Sequence, residues 1–262
     1  MNSTLATELA LEMLGVDVGS LIDPDAVVLE KVNWKVTVGD YWAIGGLQAS
    51  GKSDFMATAA GIMRPLRGTF RVFGQELGAG FEHELMPTRL RLGLVFEGGR
   101  LLSHLTIAEN VALPIRYHHN LHLEEAEART RALLEFIGLS TWADRTPGAL
   151  RRNLQQRAGL GRALALKPEV LLLDNPLRGL DSRDRSWWLD AMDQLRAGHP
   201  LLDERPLTLA VTDDNLRPWR ERARQFGMIK ERTVIALGGS PDLATNKDAL
   251  VQELLRAEPV AA

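Results

Sequence analysis

The chain has 262 residues and a formal net charge of -3, with 45% apolar and 25% charged residues, an ordinary composition for a globular protein. The slight negative charge disfavours a general nucleic-acid-binding protein, because such proteins usually carry a basic surplus. The lack of cysteine excludes disulfides and thiolate metal sites, and no apolar run approaches the about 20 residues of a membrane span, so any contact with a membrane is expected to need a partner protein.

The first hundred residues predict strands on either side of one helix. Apolar runs bounded by turn residues predict strands at residues 27–29, 32–38, 41–44, 69–73 and 92–96. Residues 23–25 indicate a turn between the earliest strands. A glycine-rich loop follows the third strand, and residues 52–60 then predict a helix that Gly61 and Pro65 end.

The glycine-rich loop has the pattern G-x-x-x-x-G-K-[ST], which cradles phosphate groups. Its backbone N–H groups point at phosphate oxygens, and the following helix presents its positive end to the same anion. Lys52 is expected to reach the β- and γ-phosphates of ATP, and the Ser53 hydroxyl to bind Mg²⁺. The alternative, an ordinary glycine turn, does not account for the strand–loop–helix context. The predicted ATP-binding residues are Gly46, Leu47, Gln48, Ala49, Ser50, Gly51, Lys52 and Ser53.

The rest of the chain alternates helices with strands. Residues 124–137 predict a helix, because Ala126, Thr130 and Leu134 fall on one face. Further helices are predicted at residues 154–166, 186–195 and 248–256, strands at 170–173 and 207–211, and a late hairpin from residues 228–229 and 233–237. Short apolar strands between helices are typical of a buried parallel sheet, so the sequence predicts an α/β fold.

Beyond the loop, several segments resemble ABC transporter ATPases in order and spacing. They are residues 94–97 with 101–114 (the Q-loop region), 157–166 (the signature helix), 171–174 (the Walker B strand), 179–181 (the D-loop) and 210–214 (the switch strand). The resemblance covers nearly the full length and implies a P-loop NTPase core of α/β class with a parallel sheet, an N-terminal antiparallel β subdomain and an inserted α-helical subdomain. It implies one ATP-binding domain over residues 1–262, with the helical subdomain at about 101–149 and a C-terminal hairpin and helix at about 226–257.

The resemblance also implies partners. In this family the helical subdomain receives a coupling helix from a membrane permease, and two ATP-binding subunits close on ATP as a homodimer or a heterodimer. Residues 101–117 look most like the ATPases of MCE-type transporters, which move phospholipids across the bacterial envelope; lipoprotein-release and cell-division ATPases share much of this stretch. The implied location is the cytoplasmic side of the inner (plasma) membrane, reached through the permease.

Four positions that carry chemistry in the family are changed in this chain. The Q-loop glutamine is Glu97, the glutamate that acts as general base is Asn175, and the switch histidine is Asp213. The signature L-S-G-G-Q is replaced by Leu150, Arg151, Arg152, Asn153 and Leu154. An amide cannot accept a proton from water at neutral pH, and losing a general base typically slows a reaction about 10²- to 10⁴-fold. The expectation at these catalytic positions is therefore slow ATP hydrolysis or none.

The same resemblance assigns the remaining site residues. Those expected at Mg²⁺ are Ser53, Asp174 and Glu97, and those expected at the γ-phosphate of a second subunit's ATP are Arg151, Arg152 and Asn153. Two guanidinium groups could contact phosphate oxygens as arginine fingers do. The alternative is that the two arginines form a solvated face.

A count of charges suggests that the changes are coupled. A usual site sets one lysine against two Walker B carboxylates, whereas this chain sets Lys52 against Asp174, Glu97 and Asp213. Excess negative charge beside ATP is unfavourable unless something offsets it, so the substituted arginines are candidates for that role. Two alternatives stay open: Glu97 or Asp213 replaces the missing base, or the chain is an inactive regulatory subunit. Such a subunit would pair with a competent ATPase or with a transporter powered otherwise.

Overall fold

The computed structural model describes residues 8–23, 25–78, 81–118 and 123–256. The chain forms two compact units, one built from residues 1–89 and 208–262 and the other from residues 90–207. Within the described ranges, every helix is too short or too polar to cross a lipid bilayer.

The described residues form ten strands and eight α-helices. In chain order they are β1 (Leu9–Gly19), β2 (Val27–Thr37), β3 (Tyr41–Gly45), α1 (Lys52–Ala59), β4 (Arg67–Val72), β5 (Gln75–Glu76), α2 (Glu82–Arg89), β6 (Leu92–Val95), α3 (Ile107–His118), α4 (Leu123–Phe136), α5 (Arg152–Leu164), β7 (Val170–Asp174), α6 (Ser182–Ala197), β8 (Thr208–Asp213), β9 (Gln225–Lys230), β10 (Thr233–Gly238), α7 (Ser240–Thr245) and α8 (Ala249–Leu254).

The first unit contains an antiparallel sheet with the strand order β2-β1-β4-β5. In β2, Val32, Trp34 and Val36 are buried and the residues between them are exposed, which is the pattern of a strand with one solvated face. The sequence predicted two strands here. The structure forms one, and Lys31 adopts a φ of 48° within it. The predicted N-terminal antiparallel subdomain is confirmed.

The same unit contains parallel strands that position the predicted site. β3 lies between β8 and β9 and is parallel to both, and β10 pairs antiparallel with β9 as the predicted hairpin. Every residue of β3 and β8 is buried, which explains their continuous apolar character. Gly45 pairs with Asp213, so the loops after β3 and β8 begin side by side at one edge of the sheet.

The second unit combines the parallel pair β6 and β7 with α3, α4 and α5, which pack against one another. Asn110 of α3 is fully buried. Its Nδ2 donates to the carbonyl oxygens of Leu102 (3.0 Å) and Thr106 (2.9 Å), and its Oδ1 accepts from the backbone N of Leu102 (2.8 Å). A single side chain thus fastens the preceding loop to the helix.

The helices that the sequence predicted differ little from those observed. The helix predicted at residues 124–137 is α4, and the helix predicted at 154–166 is α5, which begins two residues earlier, at Arg152. The sequence did not predict α3, which contains Pro114, a residue that usually ends a helix. The assignment of residues 101–149 to a separate helical subdomain stays a prediction.

Candidate functional site

The loop between β3 and α1 contains the glycine-rich residues 46–53. Gly46 donates a backbone hydrogen bond to the carbonyl oxygen of Asp213 (3.1 Å), which ties the loop to the end of β8. Gly51 has a φ of 94°, and a Cβ at this residue would lie 2.6 Å from Cγ1 of Val28. Both the backbone conformation and the space available therefore restrict this position to glycine.

The side chain of Lys52 folds back over the loop. Its Nζ donates to the carbonyl oxygens of Gly46 (2.6 Å) and Leu47 (2.8 Å), and the residue is 5% exposed. A buried ammonium needs such acceptors, because an uncompensated charge in the interior is costly. Carbonyl oxygens carry only partial negative charge, so a phosphate oxygen at this loop would be a stronger acceptor for the same ammonium.

Two neighbouring residues show whether a phosphate group fits this loop. The Oγ of Ser50 is buried and has no hydrogen-bond partner within the described ranges, so it holds a donor that a phosphate oxygen can accept. Ala49, where many ATPases of the resembled family have glycine, has a φ of 59°, which costs an L-residue some strain. The methyl group is nevertheless accommodated, and the loop's donors suit the phosphate tail of a nucleotide.

Asp213 lies at the end of β8 and is buried. Its Oδ2 accepts from Nε1 of Trp219 (2.9 Å) and its Oδ1 accepts from the backbone N of Asn215 (3.1 Å). Burial raises the pKa of Asp213 to about 7, the adjacent Asp214 acts in the same direction, and the hydrogen bond from Trp219 opposes them. At neutral pH this carboxyl group is therefore partly protonated, which reduces the excess negative charge counted from the sequence.

The loop after β8 is fastened to the C-terminal helix. The backbone N of Leu216 donates to the carbonyl oxygen of Leu254 in α8 (2.8 Å). A Cβ on Gly45 would lie 2.6 Å from Cδ1 of Leu254, so α8 approaches the end of β3 closely. Trp219 is fully buried and meets Tyr41 edge-on, with ring centroids 6.2 Å apart. These contacts hold the loop that follows Asp213 against α8 and β3.

In the second unit, Glu97 is surrounded by hydrogen-bond donors. Its Oε1 accepts from Nη2 of Arg152 (2.8 Å), and its Oε2 accepts from Nη1 of Arg178 (3.3 Å) and from Nδ2 of Asn175 (3.2 Å). Three of the four changed positions thus meet at one carboxylate. Arg178 was not predicted as a site residue, although its place between the Walker B and D-loop segments was a usable signal.

Asn175 directly follows Asp174 at the end of β7, and both residues are buried. Asn175 has a φ of 46°, so the chain turns sharply here. Its backbone oxygen accepts from Nε2 of Gln156 (3.4 Å), whereas its buried Oδ1 has no hydrogen-bond partner among the described residues. The amide of Asn175 is therefore held by Glu97 through its Nδ2 alone.

The start of α5 carries three of the five residues that replace the signature motif, Arg151, Arg152 and Asn153. Arg151 is the exposed N-cap residue and makes no ion pair within the described part of the chain, whereas Arg152 pairs with Glu97. Nδ2 of Asn153 donates to Asp184, which also pairs with Arg157 at 2.5 Å. A cavity of 670 Å³ is lined by Glu97, Arg151, Arg152, Asn153, Arg178 and Asp184, among others. Arg152 is therefore part of a charged cluster, and Arg151 is solvated.

The loop that follows Glu97 packs tightly on α5. Gly99 has a φ of 80°, and a Cβ on Gly159 would lie 2.8 Å from its Cα. Arg162 donates to the carbonyl oxygens of Gly99 (2.8 Å) and Arg100 (3.0 Å). Backbone thus lies directly on backbone, with an arginine fastening the two segments.

The predicted Mg²⁺ ligands lie in separate elements. Ser53 is in the first turn of α1, Asp174 ends β7 and Glu97 follows β6. Across the described ranges, His, Asp and Glu side chains do not converge in groups of three or more that could hold a metal ion. Mg²⁺ commonly uses one or two carboxylates together with waters and substrate phosphates. The ligand set therefore stays a prediction.

Replacing Asp213 by Asn is expected to flatten the pH dependence of stability. The pKa of Asp213 is about 7 in the folded chain and 3.8 ordinarily. The folded state therefore binds more protons between these values, and its free energy of unfolding falls as the pH rises through this window. Urea unfolding of wild type should show a loss on the order of 2 kcal/mol from this group between about pH 5 and pH 8.

In Asp213→Asn this loss should largely disappear. The exposed Asp190 provides a matched control, since Asp190→Asn should leave the wild-type pH dependence unchanged. Parallel pH profiles for wild type and Asp213→Asn would contradict the assignment of a raised pKa to this group.

Comparison with known proteins places the chain among transporters. The model of the family described as ABC transporter matches residues 29–178. The intermembrane phospholipid transport system ATP-binding protein MlaF of Haemophilus influenzae is 30% identical over 89% of this chain and 86% of its own length. The methionine import ATP-binding protein MetN of Bifidobacterium longum is 35% identical over 60% of this chain, which spans only 39% of MetN.

A solved structure agrees with these relatives. The ATP-binding cassette MJ0796, in a dimeric post-hydrolysis state bound to ADP and Pi, is 25% identical and superposes with a TM-score of 0.74 over 86% of this chain and 96% of its own. The family model covers more than half of the 262 residues, and MlaF aligns over most of both chains. The chain therefore belongs to the ABC transporter family.

Proposed function

We propose that the chain is the ATP-binding subunit of a membrane transport complex that moves phospholipids across the bacterial envelope. The observation that supports it most directly is the loop of residues 46–53. In that loop the buried ammonium of Lys52 bonds to carbonyl oxygens, and the Ser50 hydroxyl lacks a partner within the described ranges. Backbone donors and one ammonium at the start of a helix are the groups that a polyphosphate requires.

Each residue type in the loop has a separate task in this proposal. The backbone N–H groups and the Ser50 hydroxyl would donate to phosphate oxygens, and Lys52 would exchange carbonyl acceptors for a phosphate oxygen. Ser53 would bind Mg²⁺, with Asp174 and Glu97 as the further candidate ligands. Bound Mg²⁺ supplies positive charge that offsets the charge of the phosphates.

Slow or absent hydrolysis is the second part of the proposal. Asn175 stands where the family has its general base, and an amide does not take a proton from water at neutral pH. Glu97 is a poor substitute, because its oxygens already accept hydrogen bonds from two arginines. Asp213 is buried against Trp219, so water has little access to it. These contacts support an ATP-binding subunit with weak turnover.

The third part is assembly as a pair of ATP-binding subunits, either two copies or this chain with another. Arg151, Arg152 and Asn153 would contact a phosphate of the nucleotide held by the other subunit, since guanidinium groups bind phosphate strongly and with defined geometry. MJ0796 has been solved as a dimer. ATP that binds better to the closed pair must shift the equilibrium toward closure, and closure would act on the permease.

A groove between α3 and α4 supports the placement of the permease. It has a volume of 510 Å³ and is lined by small residues and by charges of both signs, including Ala108, Ala112, Ala126, Ala143, Glu109, Arg116, Glu127 and Arg131. Small side chains leave room for a short helix, and the charges can orient it. A permease bound there would hold the chain at the cytoplasmic face of the inner membrane.

The choice of phospholipid as substrate comes from sequence similarity. MlaF, whose printed name describes intermembrane phospholipid transport, aligns with nearly all of this chain, whereas the shared region covers less than half of MetN. Residues 101–117, which the sequence analysis likened to ATPases of MCE-type lipid transporters, overlap α3 and its groove. If residues 101–117 contact the permease, their similarity to the ATPases of MCE-type transporters supports a phospholipid as the transported substrate.

The alternative function is a catalytically inactive nucleotide-binding subunit that regulates a competent ATPase or a transporter powered otherwise. Asn175 favours it. Pairing with a competent ATPase has a difficulty, because that partner's nucleotide would close against residues 150–154, which lack the usual serine and glycines. Turnover measurements on the assembled complex separate the two functions.

Replacing Lys52 by Ala is expected to weaken Mg-ATP binding at least about tenfold, because a charge-assisted hydrogen bond is worth about 1.5–3 kcal/mol. Isothermal titration calorimetry at millimolar nucleotide measures the change. Lys247→Ala, at an exposed lysine of the same unit, controls for the loss of one positive charge and should bind as wild type does. Equal affinities for wild type and Lys52→Ala would remove the basis of the proposed function.

The double variant Glu97→Gln with Asn175→Glu restores the amide and the carboxylate at their family positions, and it should hydrolyse ATP at least about tenfold faster than wild type. Asn175→Glu alone should gain less, because its carboxylate would face Glu97 at hydrogen-bond distance and repel it. A phosphate-release assay checks this order. If instead wild-type turnover is measurable and Glu97→Gln or Asp213→Asn abolishes it, that residue is the replacement base.

Replacing Ala112 by Glu should abolish co-purification of the chain with its native permease and stop phospholipid transfer, because a carboxylate would fill the groove. Leu113→Glu, at the adjacent exposed position outside the groove lining, is the matched control. Transfer of fluorescent phosphatidylethanolamine between phosphatidylglycerol-containing vesicles with the wild-type complex and Mg-ATP provides the readout. A complex that transports methionine and leaves the labelled lipid in place would overturn the choice of cargo.

A further inference from the structure

The two arginines that hold Glu97 come from different segments. Arg152 lies in the first turn of α5, and Arg178 lies four residues beyond the end of β7. Both donate to the Glu97 carboxylate, at 2.8 Å and 3.3 Å. One negative charge therefore joins three parts of the second unit at the cavity that Arg151 and Asn153 also line.

The ion pair with Arg152 is suited to exchange. The side chain of Arg152 is 73% exposed, whereas that of Glu97 is 23% exposed. An exposed ion pair contributes little net stability, since water and salt compete with it. The arginine can therefore leave Glu97 for another anion at small cost, and the carboxylate stays in place beside Arg178 and Asn175.

We propose that Glu97 is an internal counter-ion that occupies Arg152 until the phosphate of a partner subunit's ATP displaces it. The inference rests on the proposed function, in which Arg152 meets a phosphate when two subunits close, and it adds a device that restrains closure. A carboxylate and a phosphate both accept two parallel hydrogen bonds from one guanidinium, so the two anions compete for the same donor. Glu97 then sets how much ATP is needed for the pair to form.

The three roles open to Glu97 predict different effects of its removal on the association of two subunits. As a Mg²⁺ ligand, Glu97 would strengthen Mg-ATP binding, so its removal would weaken association and the weakening would require Mg²⁺. As a general base, its removal would lower turnover, and any effect on association would not depend on Arg152. As a counter-ion, its removal strengthens association, and only while Arg152 is present.

The test is a double-mutant cycle on the full chain. Wild type, Glu97→Gln, Arg152→Gln and the double variant are compared by analytical ultracentrifugation, with saturating Mg-ATP, with ATP and EDTA, and without nucleotide. A second cycle replaces Arg152→Gln by Arg151→Gln, which changes the neighbouring arginine that has no ion pair in the described ranges. Glu97→Asp keeps the charge, and circular dichroism monitors folding of every variant.

The expected result is a dimerisation constant about three- to tenfold tighter for Glu97→Gln than for wild type with Mg-ATP. The gain should persist in the Arg151→Gln background and fall below about twofold in the Arg152→Gln background. Glu97→Asp should stay within about twofold of wild type, and without nucleotide no variant should differ. Should Glu97→Gln fold poorly, Glu97→Ala gives the same comparison without the carboxylate.

Two contrary results are distinguishable. If wild type binds Mg-ATP and dimerises but Glu97→Gln is equal or weaker, or its gain ignores Arg152, the counter-ion role is wrong and the proposed function stands. If wild type takes up no Mg-ATP in the calorimetric experiment, the proposed function fails and this inference falls with it.

Discussion

A buried ammonium group organises the glycine-rich loop of the first unit. The carbonyl groups of Gly46 and Leu47 turn toward the buried Nζ of Lys52 and help to compensate its charge, which requires the loop to curl. A hydrogen bond from the backbone N of Gly46 to the carbonyl oxygen of Asp213 holds this conformation. It lies where the adjacent parallel strands β3 and β8 end. The sheet, the loop and the lysine therefore form one arrangement in which a phosphate acceptor is chemically favoured.

The chain accommodates its additional carboxylates by two different physical means. At Asp213, burial raises the pKa to about 7, so that protonation removes part of the charge. At Glu97, two guanidinium groups compensate a charge that stays in place. Neither solution alters Asn175, whose amide donates to the Glu97 carboxylate at 3.2 Å. Both additional carboxylates are thus compensated within the unit in which each lies.

The sequence predicted the strand–loop–helix around Lys52, the helix α4 and the parallel strands β3, β7 and β8. Apolar patterns indicate which segments are buried, and the glycine-rich motif indicates the loop. The sequence did not predict β1 or α3, where pairing and packing outweigh local pattern. It identified Glu97, Asp213 and Arg152 as changed positions but not their partners Arg178 and Trp219. Arg178 lies between the Walker B and D-loop segments, and Trp219 lies beyond the switch strand. Neither residue is part of a motif, and the fold brings their donors to the carboxylates.

The contact of Gly99 with Gly159 has a mechanical consequence. Because a methyl group on Gly159 would overlap the backbone of Gly99, and Arg162 clasps the same loop, there is no slack between α5 and the segment that carries Glu97. A displacement at the start of α5 is thus transmitted through rigid backbone contact, without waiting for side chains to rearrange. The helix and the loop are therefore expected to move as one rigid body that carries the Glu97 carboxylate.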